Sequence, residues 1–448
     1  MEFRIGASGR PRSLRVNAAR ACALLTAAAL SALVVPASTA AQPSGEALPE
    51  RITLSWAIAR ALAHNPELAA ADARVLAMQE RPPQEGALPD PMLMLRYHNE
   101  DWGLSFGRSD FSFFEVGVEQ ELPLGGKRAA RRQIAEREAL RERAMRDMTA
   151  LMVLARVGMQ VAELAALERT DAALGESLGL LETLIAQTAS RYSVGEAEQQ
   201  DVLRTRLERD MLRERLAMVT RERAQARAAL AALLGAERPE DLPPSVDFEG
   251  VREPRPLEEL RARARDQSPA LRAAREELLR TEQALRLARR EYWPEFALMA
   301  AYTEKKQLMP EWEIGFRVSV PLYLRSKQRR FVAESAYAER AAEHERRRTE
   351  LDVAARLAEL HAAAESSNQL LGLYRDSLLP SARLTFESAS ASYATGRVDL
   401  MTALSAFVAL LDYRIREAEE TASLLASLAE IGPLVGETPL GEPLGGKP

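Results

Sequence analysis

The residues around Gly125, Gly126 and Lys127 are where a phosphate-binding loop would first be sought. Such a loop needs Gly-x-x-x-x-Gly-Lys followed by Ser or Thr, because the backbone N–H groups, the lysine and the hydroxyl hold the phosphates and their Mg²⁺. Here Glu121 stands five residues before Gly126, and Arg128 follows the lysine. The pattern fails at two positions, so no nucleotide chemistry is predicted.

Metal binding and covalent catalysis need histidines, thiols or thioethers at defined spacings. No two of the four histidines are i and i+4 neighbours, as a zinc site on a helix would require. They are His64, His98, His344 and His361. Four methionines share one helical face and could bind copper(I), but their spacing is also that of a packed seam, which we favour. They are Met145, Met148, Met152 and Met159. The sequence therefore predicts no metal site, no cofactor and no enzyme.

Residues 1–40 have the pattern of a secretory signal peptide. Five arginines precede an apolar run, Ala21–Val35, that is shorter than the roughly 20 residues of a membrane-spanning helix. The single cysteine, Cys22, lies inside this segment, so the mature chain is expected to have no disulfide. No later segment is predicted to be a transmembrane helix. If the chain enters a membrane, we expect it to do so by strands.

The composition favours long helices over a large round core, since only 5% of the 448 residues are aromatic while 28% are charged. The net charge of the full chain is −5. Removal of residues 1–40 takes away five arginines and one glutamate, which leaves the mature chain more acidic. This charge argues against nucleic acid as a partner.

Three motifs recur in the same order about 200 residues apart, which indicates a duplicated chain. The pairs are Asn65–Leu68 with Ser268–Leu271, Glu115–Leu124 with Glu313–Leu322, and Tyr192–Gly195 with Tyr393–Gly396. Asn65 and Ser268 are each placed to cap a helix that has proline at its first position.

Each half is predicted to contain two strands and then a long helical hairpin with Tyr-x-x-Gly at its tip. The first repeat is predicted at 41–237, with strands at about 92–99 and 112–122 and the hairpin at about 127–235. The second is predicted at 257–431, with strands at about 295–303 and 312–321 and the hairpin at about 326–430. Residues 238–256 are predicted to be a linker and 432–448 a flexible tail.

The strand candidates alternate apolar and polar residues. In Trp312–Val320 every even position is apolar, and Phe114–Leu122 is similar except at Gln120. Such strands are typical of a transmembrane β-barrel, although alternation alone fits two soluble hairpins equally well. An exported chain whose helices offer no compact core to cover these strands favours the barrel. Because membrane barrels have about eight strands or more, several copies would have to contribute.

The order of these features resembles the TolC family of outer membrane efflux proteins. The resemblance rests on the duplicated plan, the Asn-Pro-Glu-Leu opening, the Gly86–Pro91 run, the Glu-Leu-Pro-Leu-Gly-Gly-Lys segment and the paired tips. It extends from about Ile52 to about Leu428. The Gly86–Pro91 run is most similar to the heavy-metal efflux branch.

This resemblance implies a mostly helical fold with a small membrane β part. Three chains would form a homotrimer in outer-membrane lipid, with four strands each in a 12-stranded barrel and the hairpins forming a periplasmic tunnel. Most of the mass would then lie in the periplasm. Pro123, Gly125, Gly126 and Pro321 would form the joints between barrel and tunnel, because proline ends strand pairing and glycine permits a sharp bend.

The hairpin tips of the family meet a periplasmic adaptor that is coupled to an inner-membrane pump. The matching residues here are Arg191, Tyr192, Ser193, Val194, Gly195, Ser392, Tyr393, Ala394, Thr395, Gly396 and Arg397. The glycines alone would be explained by the turns, but repetition of the whole tip favours docking. Acidic residues often line the family's aperture, and the nearest candidate here is Asp399, which a surface position in a first helical turn would also explain.

Five charged residues on the polar side of the strands are expected to line the barrel lumen. They are Glu115, Glu119, Glu121, Glu313 and Arg317. The sequence thus predicts a passive outer-membrane channel of a tripartite exporter, with metal cations or small toxic compounds as candidate cargo. The alternative is a soluble periplasmic coiled-coil adaptor or scaffold.

Overall fold

The computed structural model of the chain describes residues 49–99, 112–247, 253–305 and 308–444. The predicted signal peptide lies outside the described residues.

The first half contains three short helices, two of the four long strands and one helical hairpin. In chain order the elements are β1 Arg51–Ile52, α1 Leu54–His64, α2 Pro66–Gln79, α3 Arg81–Gly86, β2 Met92–His98, β3 Phe113–Leu122, α4 Lys127–Ser193 and α5 Gln199–Leu233. The Asn65 side chain accepts hydrogen bonds from the backbone N–H groups of Glu67 and Leu68, and Pro66 occupies the first position of α2. The predicted Asn65 cap is therefore present.

The second half repeats this plan. After β4, Ser245–Val246, its elements are α6 Leu257–Gln267, α7 Pro269–Arg290, β5 Glu295–Lys305, β6 Glu311–Ser319, α8 Arg329–Leu373, α9 Leu379–Ala394 and α10 Leu400–Val435. Ser268 precedes α7, but its side chain makes no cap hydrogen bond, so the predicted Ser268 cap is wrong. The hydroxyl is instead buried without a partner in the described part of the chain.

The two hairpins differ in the continuity of their first helix. Helix α4 has 67 residues and is roughly 100 Å long at 1.5 Å per residue. In the second hairpin, π-helical turns at Leu324–Gln328 and Tyr374–Leu378 precede α8 and separate it from α9. Near the tips the hairpins share one core, which includes an apolar seam on α10. The seam residues Leu400, Leu404, Phe407 and Leu411 are all buried.

The four long strands form one antiparallel sheet in the order β2-β3-β5-β6. Its register keeps the two side-chain types on opposite faces. Leu93, Val118, Ala300 and Ile314 are aligned across one face. Within the described residues, the outer edges of β2 and β6 have no partner strand.

By length and composition alone, the prediction that no later segment could be a transmembrane helix is wrong. Within the described residues, α4 contains an 18-residue window apolar enough to cross a membrane. However, 61% of that window is buried inside the structure. The apolar residues pack against α1, α5 and the segment after α10, as expected of a core helix.

The prediction of a flexible tail is wrong for residues 432–444. Helix α10 continues through Pro433 to Val435, and Gly436 then turns the chain with a φ of 81°. The buried Glu437 carboxylate binds the guanidinium groups of Arg255 and Arg263. The predicted linker is also partly regular, since its strand β4 pairs in parallel with β1.

Candidate docking tips, joints and sheet faces

The two hairpin tips have the same backbone geometry. Gly195 and Gly396 have φ values of 79° and 70°, in the left-handed region that favours glycine. Glu196 N–H donates to the Arg191 carbonyl at 2.9 Å, and Arg397 N–H donates to the Ser392 carbonyl at 2.9 Å. These bonds close the last turn of each ascending helix.

Arg191 joins the first tip to the second. Its Nη1 donates to the backbone carbonyl of Tyr393 at 2.6 Å, and its guanidinium carbon lies 4.8 Å from the centroid of the Tyr393 ring. Its Nη2 also donates to the Glu196 carbonyl at 3.3 Å. The Arg191 side chain therefore links the two tips directly.

The tip tyrosines occupy different environments although the sequence repeats. Tyr393 is only 2% exposed, and its hydroxyl donates to Oγ1 of the buried Thr188 at 3.1 Å. Tyr192 is 48% exposed and the neighbouring Val194 is 69% exposed. A docking surface can thus use the side chains of Tyr192 and Val194, whereas the Tyr393 ring belongs to the core beneath the tips.

Asp399, the aperture candidate, is the N-cap of α10. Its carboxylate accepts hydrogen bonds from the Thr402 hydroxyl and from the Thr402 backbone N–H, the latter at 2.9 Å. These bonds, the hydroxyl's first, hold the pKa of Asp399 below its ordinary value. The geometry gives this residue a capping role.

The first joint is locked by contacts from the second repeat. Strand β3 ends at Leu122, and Pro123 to Gly126 lead into α4 with both glycines at a φ above 70°. A side chain on Gly125 would press on Trp293, and the Gly126 carbonyl accepts from Arg290. The bend therefore needs glycine for its conformation and for its close neighbours.

Lys127, the first residue of α4, is the least expected feature of this joint. It is 1% exposed, and its ammonium donates to carboxylates of Glu291 and Glu295, both at 3.0 Å. A cation at a helix N-terminus opposes the helix dipole, so these two carboxylates are needed to compensate for it. The sequence predicts no phosphate ligand at Lys127, and no local pattern indicates its burial.

The second joint is open. Strand β6 ends at Ser319, and Pro321 leads into the π-helical turn that precedes α8. Leu322 and Tyr323 are both exposed there. No glycine pair bends this joint, so the repeat is inexact here.

The predicted lumen residues share one face of the sheet. Arg96 donates to Glu115 at 3.4 Å, and Arg317 lies 2.7 Å from Glu119. The carboxylates of Glu115 and Glu119 are buried in these pairs. Glu121 and Glu313 form no ion pair with the described residues.

The opposite face of the same sheet is apolar and uncovered. Exposed side chains occur on all four strands, and Phe316 is exposed by 78%. They include Leu93, Leu95, Phe114, Val118, Leu298, Trp312, Ile314 and Phe316. A soluble hairpin would bury this face, so it requires another apolar environment.

The methionine face of α4 is only partly a core seam. Met145, Met148 and Met159 are half-buried, but Met152 is exposed. Among the described residues, no group of three His, Cys, Asp or Glu side chains is arranged to hold a metal ion.

Solved structures of outer-membrane channels have this fold. The outer-membrane channel OprN is 18% identical, with a TM-score of 0.75 over 86% of this chain and 89% of that chain. CusC is 15% identical, with a TM-score of 0.75 over 86% and 92%. VceC from Vibrio cholerae is 18% identical, with a TM-score of 0.73 over 86% and 96%. At these identities the similarity defines the class of fold, that of an outer-membrane channel.

The chain belongs to the outer membrane efflux protein family, whose model matches residues 57–236 and 260–437. One match falls on each half, as duplication requires. The predicted fold class and outer-membrane location are confirmed, and the family consists of channels rather than enzymes. The heavy-metal branch remains a prediction. A comparison with curated proteins finds no match.

Proposed function

We propose that this chain is the outer-membrane channel of a tripartite export system and that three copies close one barrel. The observation that carries the proposal is the antiparallel four-stranded sheet, which has an exposed apolar face and two unpaired outer edges in the described residues. Three such sheets would supply twelve strands, and pairing β6 of one copy with β2 of the next would keep every pair antiparallel. Closure removes the free edges that strands otherwise expose.

The polar face of the sheet would then line the pore. Two of its carboxylates are already neutralised by Arg96 and Arg317, so Glu121 and Glu313 would carry its bias toward cations. The hairpins would continue the pore into the periplasm. Metal cations or small toxic compounds are the proposed cargo, and the energy would come from an inner-membrane pump.

The experiment that tests trimer formation is the native mass of the mature protein extracted from outer membranes in mild detergent. Three copies per particle are expected. A monomer or dimer that is released without detergent would instead support the soluble scaffold.

The adaptor is proposed to dock on the exposed part of the tips. Val194→Asp places a charge where Val194 is 69% exposed, so we expect loss of adaptor-dependent export with normal folding and trimer formation. Export of a reporter substrate from cells measures the effect. Met309→Asp, at an apolar position between β5 and β6 that is 86% exposed, is the matched control and should export normally. Normal export by Val194→Asp would contradict tip docking.

A further inference from the structure

A cleft between α6, α7 and α8 carries an unusual concentration of positive charge. Its volume is about 450 Å³. The charged side chains that line it are Arg261, Arg265, Arg275, Arg346, Arg347 and Glu350. Leu271, Leu351 and Val353 form an apolar floor. Five arginines against one glutamate give the lining a net charge of +4.

Part of this charge is compensated inside the chain. Arg346 and Arg347 share the Glu350 carboxylate, and Arg261 lies 2.7 Å from Glu258 at the margin of the cleft. Arg265 and Arg275 have no ion pair with any described residue. Two guanidinium groups therefore remain available beside an apolar surface.

Such an arrangement costs stability when the cleft is empty, because like charges beside low-dielectric walls repel each other. The same walls concentrate the positive field and attract an anion. Guanidinium groups are suited to carboxylate and phosphate oxygens, which they bind through paired N–H donors. The volume and the apolar floor are those of a small-molecule site rather than of a flat protein interface.

The position of the cleft separates it from the membrane and from the tips. Arg346 lies 17 residues after the start of α8, or roughly 25 Å along the helix from its strand end. The hairpin tip is a further 50 residues along the chain, at Gly396. Neither a lipid headgroup in the bilayer nor an adaptor on the tips would reach it.

We infer that this cleft binds a small amphiphilic organic anion, with its carboxylate or phosphate on Arg265 and Arg275 and its apolar body on Leu271 and Leu351. The site lies outside the tips and the sheet, so it adds a ligand-binding function to the helical part of the channel. It does not depend on the identity of the cargo.

Titration calorimetry of phenyl phosphate binding to the purified full-length protein in detergent tests this inference. We expect saturable binding with one site per chain. Inorganic phosphate, which lacks the apolar body, and benzyl alcohol, which lacks the charge, should both bind more weakly. Equal binding of all three would contradict an amphiphilic site.

The variant Arg265→Gln/Arg275→Gln should weaken phenyl phosphate binding by about tenfold or more, since charge-assisted hydrogen bonds to two guanidinium groups are lost. Arg329→Gln/Arg330→Gln removes the same charge from the exposed start of α8 and should leave binding unchanged. The oligomeric state of every sample is measured in parallel. Unchanged affinity in the cleft variant would overturn the inference. A second result would also overturn it. If the native oligomer binds no phenyl phosphate and the cleft variant dissociates into monomers, a second copy of the chain fills the cleft.

Discussion

Arg191 and Tyr393 come from different repeats, yet together they decide how the tips are held. The guanidinium group stacks on the tyrosine ring and donates to its backbone carbonyl, so one side chain serves two interactions. Cation–π contacts contribute about 0.5–1 kcal/mol at exposed sites, and hydrogen bonds from charged groups about 1.5–3 kcal/mol. The Arg191 side chain is only 18% exposed, so this link is expected to stabilise the contact between the tips.

Arg191→Gln is expected to loosen both tips. Loss of about 1.4 kcal/mol would raise local opening about tenfold, so amide hydrogen exchange should accelerate in residues 188–198 and 389–399. Arg204→Gln, an exposed position on α5, is the matched control and should not change exchange at the second tip. If exchange accelerates only at the first tip, Arg191 does not couple the two.

Asp399 should stabilise the start of α10 in a pH-dependent way. Because its folded-state pKa is lowered, the ionised carboxylate stabilises the fold above the ordinary pKa, and this stabilisation is lost as the pH falls through the lowered value. Protection of the Thr402 amide against exchange, compared with Asp399→Asn, measures the effect. Asparagine caps without ionising, so its protection should not share the acid loss. Equal pH profiles would contradict the capping role.

The two strand-to-helix joints show how one repeated element acquires two structures. The first has left-handed Gly125 and Gly126, the contact of Arg290 with the Gly126 carbonyl and the buried Lys127. The second has a π-helical turn and exposed apolar side chains instead. The first strand-to-helix joint is therefore held by contacts within the chain, whereas the apolar side chains of the second are exposed.

Lys127 should be required for stability of the fold only while its carboxylate partners Glu291 and Glu295 are present. Lys127→Met leaves Glu291 and Glu295 facing an apolar group, and we expect a loss of about 3 kcal/mol, the low end for a broken buried pair because both glutamates are partly exposed. The triple variant Lys127→Met/Glu291→Gln/Glu295→Gln should recover most of it. Thermal unfolding in detergent measures both. A triple variant as unstable as the single one would show that Lys127 acts by packing alone.

At the scale of the whole molecule, the sheet is the part that a single chain leaves incomplete. Two carboxylates of its polar face form ion pairs within the chain, but its apolar face and both outer edges are not covered by any described residue. Neighbouring copies would complete the edges, and lipid would cover the apolar face.

Opposite faces of β6 should therefore respond differently to charge. Phe316→Arg puts a cation on the apolar face, where an arginine near the bilayer midplane costs about 2–4 kcal/mol, so less folded protein should reach the outer membrane. Glu313→Arg changes the polar face of the same strand and should insert normally. The folded fraction in outer-membrane preparations measures both. Equal recovery of the two variants would contradict a lipid-facing sheet.

Local patterns in the sequence were sufficient for the duplicated plan and for which residues become strand or helix. Alternation in the strands and the Asn65 cap are short-range features, because they depend on neighbours within a few residues. Ser268 shows the limit, since a residue of the right type at the repeated position does not cap. Residues 432–444 show another, because their packing depends on Arg255 and Arg263, more than 170 residues earlier.

The sequence by itself determined that this is an exported, duplicated, mostly helical chain with a two-faced sheet. These properties follow from composition, periodicity and repetition, which are all encoded locally. Only the tertiary structure decided that Arg191 joins the tips, that Tyr393 is buried while Tyr192 is exposed, and that Lys127 is buried between two glutamates. Repeated motifs lie in different environments because each of these contacts joins residues more than 150 positions apart. No local pattern specifies which distant side chain a residue will contact.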